Sequence, residues 1–347
     1  MSDSLSNLQV RLKARPVGVP TADHFELASV PIAEPGPGQV VVQILFVSVD
    51  PAMRGWVNAA ANYAEPVPIG GVMKSFAVGR ITASRHPRWR EGDLVTGLFG
   101  WQQWAVIDAS VIDRRLDPGI IGGLPLSFAL GVLGLNGVTA YFGLFEVAQP
   151  KPGQTVVVSS GAGSVGSCVG QLAKIAGCRT VAISGGPEKA KLAADLFGFD
   201  ASLDYRSPDF VAQLEQACPN GVDVYFDNTS GPITDAVIAR LNVRARVVIC
   251  GTVAYTDWSP PPLGPRMERQ LLVTRARIEG FIAPDFQHRW GEAYSVLANW
   301  VREGRIKVLE DVLDGLEAAP ASIEGLYRGE NIGKRVIRVA SEHQKDS

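Results

Sequence analysis

Gly161-Ala162-Gly163-Ser164-Val165-Gly166 is a G-x-G-x-x-G, and its neighbours give that spacing chemical meaning. Val156, Val157 and Val158 precede it as a β-branched run, which predicts a buried parallel strand. Apolar residues then recur at helical spacing at Val165, Val169, Leu172, Ala173 and Ala176, and Gly177 marks a stop. Thr180–Ile183 reads as a second strand. In such an order the first two glycines let the backbone turn and approach a pyrophosphate. The third lets the helix pack on the strand, and the helix end offers unpaired N–H groups and a partial positive charge. Glycines also make plain turns; the flanking strands and helix are what point to a dinucleotide.

The end of the second strand chooses between nucleotides. An NAD site usually carries Asp or Glu there, on the ribose 2′-hydroxyl. Here Ile183 is followed by Ser184-Gly185-Gly186-Pro187, without an acid, and Lys189 comes shortly after. Losing a carboxylate and gaining an ammonium suits the extra charge of a 2′-phosphate, so NADP(H) is expected over NAD(H). Glu188 weighs against this, and the plainer alternative is that Glu188 and Lys189 open a helix and face water.

No metal is expected. Zinc needs Cys, His or carboxylate ligands in a tetrahedral set. Cys168, Cys178, Cys218 and Cys250 all lie beyond residue 167, with no C-x-x-C spacing. The N-terminal part offers His24 and His86, the latter in the basic turn Arg85-His86-Pro87-Arg88. The chemistry must then manage charge without a Lewis acid. The same cysteine usage argues against a disulfide framework and for a reduced, cytoplasmic setting.

Two kinds of sequence must position these residues. Over 1–127 the chain reads as β. Gln39–Val49 is a strong strand, and Phe76–Thr82, Asp93–Thr96 and Trp104–Ile107 are shorter ones divided by turns such as Glu91-Gly92-Asp93. Strands without intervening helices suggest a barrel or sandwich. Over 128–304 strands and helices alternate. Helices are expected at Leu133–Phe145, Glu188–Phe197, Asp209–Ala217, Ile233–Leu241 and Trp290–Val301. Strands are expected at Ala201–Asp204, Val222–Phe226, Arg246–Cys250 and Arg277–Phe281. The fold class is α/β: a doubly wound parallel sheet with helices on both faces, joined to a β-rich domain. From 305 onward Val308–Val312 and Arg335–Val339 read as strands returning to the first domain. A ligand cleft between the two domains is expected.

Bulk composition excludes other classes. Hydrophobic residues are 46% and charged residues 20%, ordinary for a soluble globular protein. The net charge of −2, without a long basic run, implies no nucleic acid partner. The N-terminus has no apolar signal region. Pro118–Phe145 is free of charge and long enough to span a bilayer, but Pro118, Pro125 and repeated glycines punctuate it. A buried loop and helix are expected there, not a membrane segment.

Several further stretches carry a resemblance. Val47-Ser48-Val49-Asp50-Pro51-Ala52-Met53-Arg54-Gly55 resembles V-D-P-x-M-R-G, and Ile69-Gly70-Gly71-Val72-Met73 also matches. Leu133-Gly134-Leu135-Asn136-Gly137-Val138-Thr139-Ala140-Tyr141-Phe142-Gly143 is similar to L-G-x-x-G-x-T-A-Y-F-G. Asp223–Asn228, Ile249–Gly251, Arg277–Phe281 and Gly329–Lys334 add to it. Together they resemble the zinc-independent medium-chain dehydrogenase/reductases, in the branch of prostaglandin reductases, plant double-bond reductases and bacterial curcumin reductases. The resemblance runs from about Gln39 to Val339. It implies a GroES-like barrel beside a Rossmann domain, a homodimer, and NADPH-dependent reduction of the carbon–carbon double bond of α,β-unsaturated ketones and aldehydes. It also implies nucleotide contacts at Gly163, Ser164, Val165, Gly166, Ser167, Lys189, Tyr205, Asn228, Cys250, Gly251, Thr252, Tyr255, Phe281, Ile282, Ala283 and Asn331. Lys189 and Tyr205 would meet the 2′-phosphate. Asn136 departs from the family's frequent Pro, and the segment after Gly251 is one residue shorter than in animal members.

On that reading hydride reaches the β-carbon of an enone and negative charge builds on the carbonyl oxygen. One well-placed hydrogen-bond donor there is commonly worth about 3 kcal/mol. A phenol donates while neutral. Tyr255, beyond the strand ending at Cys250, and Tyr63, in the polar loop Asn58–Pro66, are the catalytic candidates; each is otherwise an ordinary amphipathic surface residue. Asp50 and Arg54 either shape the pocket or pair to hold a loop. Trp56, Trp101 and Trp104 either line an apolar pocket or pack the core. Cys250 reads as a small residue against the nicotinamide, not a nucleophile. Two alternatives stay open: an NADPH-dependent quinone reductase, and a nucleotide-binding protein without catalysis.

Overall fold

In the computed structural model, which describes residues 6–59, 64–256, 258 and 260–342, the chain changes unit after Leu130 and again after Leu309. Met1–Leu130 with Glu310–Ser347 form one unit, and Gly131–Leu309 the other.

The first unit opens with an antiparallel hairpin of β1 (Ser6–Leu12) and β2 (Phe25–Pro31). β3 (Gln39–Ser48) follows, buried along nearly its whole length. A short helix α1 (Met53–Trp56) leads to β4 (Ala77–Ser84), β5 (Leu94–Gly97), β6 (Trp104–Asp108) and β7 (Ile112–Arg115). α2 (Pro118–Ile121) starts with Pro118 in its first turn, beneath an Asp117 side chain that accepts from Gly119 N–H.

The second unit begins with α3 (Leu135–Phe142), shorter than the Leu133–Phe145 expected, because the pitch widens to a π-helical turn at Gly143–Ala148. Then come β8 (Thr155–Ser159), α4 (Ser164–Ile175), β9 (Arg179–Ser184), α5 (Pro187–Asp195), β10 (Ala201–Asp204) and α6 (Phe210–Ala217). β11 (Val222–Asp227), α7 (Pro232–Ile238), β12 (Leu241–Ile249), α8 (Glu268–Thr274), β13 (Arg277–Gly280) and α9 (Trp290–Arg302) complete it. The expected helix Ile233–Leu241 ends at Ile238, and Leu241 opens the next strand. Ile233, Val237, Ile238 and Leu241 are all buried, so the apolar run gave no sign of the break. The six strands are parallel in the order β10-β9-β8-β11-β12-β13. The winding direction reverses between β8 and β11, the switch point of a doubly wound sheet.

The chain returns as β14 (Glu310–Asp314), α10 (Ala319–Arg328) and β15 (Lys334–Arg338). β15 pairs antiparallel with β3, giving the first unit a seven-stranded sheet, β14-β15-β3-β4-β5-β7 with β6 also on β3. Trp56 and Trp101 belong to its packed core, and the Trp101 indole donates to Ser48 O at 3.1 Å. Pro118–Phe145 is divided among α2, a short 3₁₀ segment and α3; no helix among the described residues is long and apolar enough to cross a membrane.

Candidate functional site

Every strand of the second unit's sheet runs the same way, so the residues after each strand gather on one edge. β8 hands over to the glycine turn. The left-handed residue of that turn is Ser160, with φ of 54°, and the motif glycines serve space instead. A Cβ on Gly161 would lie 2.6 Å from Ala182 Cβ, and one on Gly163 2.8 Å from Ser160 Oγ. On Gly166 it would lie 2.1 Å from Ser160 O, which is the helix-on-strand contact the third glycine allows. Gly163 caps α4 without a side-chain bond, so the first-turn N–H groups of Ser164, Val165 and Gly166 form the open end of a twelve-residue helix. Ser167 N–H is the first to turn back, onto Gly163 O at 2.9 Å.

The middle of the edge is built on Asp227, fully buried at the end of β11. Its carboxylate accepts from Ser159 Oγ (3.2 Å), Tyr225 Oη (3.0 Å), Thr234 Oγ1 (2.5 Å) and the N–H groups of Thr229 (2.9 Å) and Ser230 (2.8 Å). Asn228 donates its N–H to Ser159 Oγ and its amide to Ser159 O, both at 2.8 Å. Asp227 O accepts from Cys250 N–H and Gly251 N–H at 2.8 and 3.1 Å. The ends of β8, β11 and β12 are thus tied together at the switch point. Burial and the nearby Asp227 carboxylate push the Cys250 thiol up to about 12, so it stays protonated and is no nucleophile at neutral pH.

A third corner lies beyond β9. Gly186 N–H and Arg206 N–H both donate to Asp204 Oδ1, at 2.8 and 2.9 Å, and Tyr205 N–H donates to Ser184 O at 3.1 Å. These bonds close the Gly185-Gly186 turn against Tyr205-Arg206. A Cβ on Gly185 would stand 3.1 Å from the Tyr205 ring and 3.5 Å from Arg206 Cζ. Tyr205 is 40% exposed, with the Arg206 guanidinium 5.7 Å over its ring. Lys189 stands in the first turn of α5, directly after the glycines. Arg206 was missed in the sequence; its only signal there is a basic residue just past a short strand.

Cys250, Gly251 and Thr252 follow β12, and Tyr255 N–H closes a turn onto Thr252 O at 3.0 Å. The Tyr255 phenol reaches the loop after β11, where a Cβ on Gly231 would lie 3.3 Å from it, and its ring meets Trp258 at 5.5 Å. Phe281, Ile282 and Ala283 follow β13. The Phe281 ring turns inward against Phe226 at 6.4 Å, Ile282 N–H is taken by Asp285 at 3.2 Å, and Ala283 O accepts from the Trp290 indole at 3.1 Å. The structure therefore brings together on one edge every nucleotide candidate except Asn331. That residue lies in the β-rich unit, where its amide donates to Gly333 O at 2.9 Å. Tyr63 falls outside the described residues.

In the β-rich unit Asp50 does not pair with Arg54 as one reading had it. Lys334 takes it: the ammonium donates to Asp50 Oδ1 (2.8 Å), Ser48 Oγ (2.6 Å) and Val49 O (2.9 Å). Arg54 reaches Gly18 O at 2.6 Å and the Asn58 side chain. Register explains the switch, since β15 lies on β3 and starts at Lys334. Among the described residues no group of three His, Cys, Asp or Glu side chains is placed to hold a metal ion.

The edge fits a phosphorylated dinucleotide in its own chemistry. It offers a cradle that a Cβ would fill, an open helix end for a diphosphate, and a cationic corner for a further phosphate.

Comparison with known proteins gives the same picture. Residues 8–114 match a family described as the N-terminal domain of oxidoreductase, and residues 164–299 one described as zinc-binding dehydrogenase. The chain is 43% identical over 336 residues to an NADPH-dependent curcumin reductase of Escherichia coli, covering 95% of this chain and 96% of that protein. It is 35% identical to a 2-alkenal reductase (NADP(+)-dependent) of Nicotiana tabacum, covering 99% and 100%. The crystal structure of CurA in complex with NADPH from Vibrio vulnificus superposes with a TM-score of 0.90 at 40% identity, covering 96% of this chain and 99% of that one. The chain belongs to the zinc-independent medium-chain dehydrogenase/reductases, in the branch that holds the curcumin, 2-alkenal and prostaglandin reductases.

Proposed function

We propose that this chain is an NADPH-dependent reductase of the carbon–carbon double bond in α,β-unsaturated ketones and aldehydes. The observation that carries the reading is the strand-end edge, where the glycine cradle and the Lys189–Tyr205–Arg206 corner, its Asp204 carboxylate taken up by the Gly186 and Arg206 N–H groups, stand on either side of β9. The names of its relatives support the same activity. Bound NADPH supplies a hydride. The chain's own work is placement. Ser164, Val165 and Gly166 N–H groups hold the pyrophosphate, and Ser167 completes that turn. Lys189, Tyr205 and Arg206 hold the 2′-phosphate. Asn228, Cys250–Thr252 and Phe281–Ala283 hold the rest of the nucleotide against the sheet edge, and Asn331 is kept as a further proposed nucleotide contact. Tyr255 donates its phenol proton in a hydrogen bond to the substrate carbonyl oxygen, where charge develops; a donor of that kind is worth about 3 kcal/mol. Tyr63 is the second candidate donor.

The protein is proposed to work in the cytoplasm as a homodimer. β13 supports the dimer, being a sheet-edge strand with exposed residues beside the exposed Leu272 and Val273 of α8. NADPH absorbance followed with 3-nonen-2-one, then with a quinone, then with NADH as donor tests the activity. Enone turnover with NADPH is expected. Turnover with quinone alone would make it a quinone reductase, and nucleotide binding without any turnover would make it a binding protein.

A further inference from the structure

Gly143 stands where α3 gives way to the π-helical turn, at φ −60° and ψ −37°. Those angles suit any residue, and glycine is a poor helix former, so the backbone does not call for it. Space does. A Cβ there would lie 2.5 Å from Phe281 Cζ, and 2.8 and 2.9 Å from Phe226 Cε2 and Cζ. The Phe226 ring has no room to retreat, and the half-buried Phe281 ring can yield only by moving against its aromatic neighbours. Phe226 is fully buried in β11, one residue before Asp227. Phe281 meets Phe286 at 6.5 Å, and Phe286 stacks on Phe142 at 4.9 Å with planes 4° apart. The two rings belong to the strand ends that carry Asn228 and Phe281–Ala283. One extra residue in the helical pitch, a feature that recurs at functional sites, begins at this same glycine.

We propose that Gly143 is a positioning residue: its bare backbone is the seat of the Phe281 and Phe226 rings, and through them it sets the two strand-end loops that hold the nucleotide. This rests on the nucleotide reading above. A methyl at 143 must push the Phe281 ring by about 1 Å to reach ordinary contact, and misplacement on that scale can cost about a hundredfold.

The test uses the full-length protein and NADPH binding by fluorescence, with the thermal midpoint and enone kinetics measured alongside. Gly143→Ala is expected to raise the NADPH Kd at least about tenfold and to raise KM for NADPH in step. Gly291→Ala, a helix position where a Cβ meets nothing within 4 Å, is the control and should bind as wild type. Gly143→Ala combined with Phe281→Leu relieves the shortest contact and leaves the one with Phe226, so its Kd should lie between those of Gly143→Ala and Phe281→Leu alone. A merely structural role would lower the thermal midpoint and leave Kd unchanged. The seat is overturned if Gly143→Ala binds within about twofold of wild type, or if the double variant binds no better than Gly143→Ala. Should Gly143→Ala fail to fold, Gly143→Ala with both Phe281→Leu and Phe226→Leu decides: folding and binding like Phe281→Leu with Phe226→Leu supports the seat, and failure overturns it. A wild type that does not bind NADPH would instead sink the nucleotide reading itself.

Discussion

Replacing Lys334 by Met should destabilise the β-rich unit by about 3–5 kcal/mol. The ammonium and its partner are nearly sealed, with side chains 4% and 8% exposed. Three acceptors converge on it: Ser48 Oγ, Val49 O and Asp50 Oδ1, at 2.6, 2.9 and 2.8 Å. Met fills much of the same volume but carries no charge. Asp50 would then remain as a buried carboxylate with the Ser48 hydroxyl as its remaining partner. Breaking a buried pair from one side costs about 3–5 kcal/mol, because the surviving charge is uncompensated. For a unit of this size each kcal/mol moves the midpoint by roughly 2–4 °C, so a fall of about 6–20 °C is expected. Differential scanning calorimetry of the full chain reads it directly. Lys334→Met with Asp50→Leu removes both charges and should recover most of the loss. A Lys334→Met midpoint within about 2 °C of wild type, or a double variant no better than the single, would refute the argument.

Other outcomes follow from the same geometry. Lys189→Ala and Arg206→Ala should each weaken NADPH binding by about 10- to 100-fold, the worth of one hydrogen bond to a charged group, and leave NADH binding nearly unchanged; equal losses would remove the phosphate role. Burial raises the Glu310 carboxyl above its usual value of 4.5, with Ser127 bonded to one oxygen at 2.6 Å and the other oxygen without a partner. A carboxyl raised in the fold stabilises below its unfolded pKa and loses that contribution as pH rises through the folded one. Glu310→Gln should therefore raise the thermal midpoint at pH 7–8, with the gain shrinking as pH falls toward about 4.5; a gain independent of pH would contradict it. With its thiol near 12, Cys250 should react with iodoacetamide about tenfold faster for each unit of pH between 8 and 10, followed by mass spectrometry. A plateau near pH 8.5 would show an ordinary thiol.

Much of the nucleotide edge was legible because its code is local. Period, β-branching and glycine spacing lie within a few neighbours, and each candidate residue follows a parallel strand. The β1–β2 hairpin was missed although Leu8, Val10 and Leu12 alternate in β1, and α10 was passed over where Pro320 suggests a loop. Pro320 in fact occupies the first turn, where its missing N–H has no cost.

By itself, then, the sequence determined the α/β class, the strand–turn–helix at Gly161–Gly166, and the absence of an acid after Ile183 that favours a 2′-phosphate. Tertiary structure alone decided which distant groups meet. Asp50 found Lys334, 284 positions away, and not Arg54 four positions on. Arg206 became a phosphate candidate only because Asp204 folds it against Gly185. Gly143 acquired its reason only when the strand ends of β11 and β13 placed two rings on it. Periodicity reports what a residue's neighbours require, whereas pairing across strands depends on register, and register is settled only when the whole sheet packs.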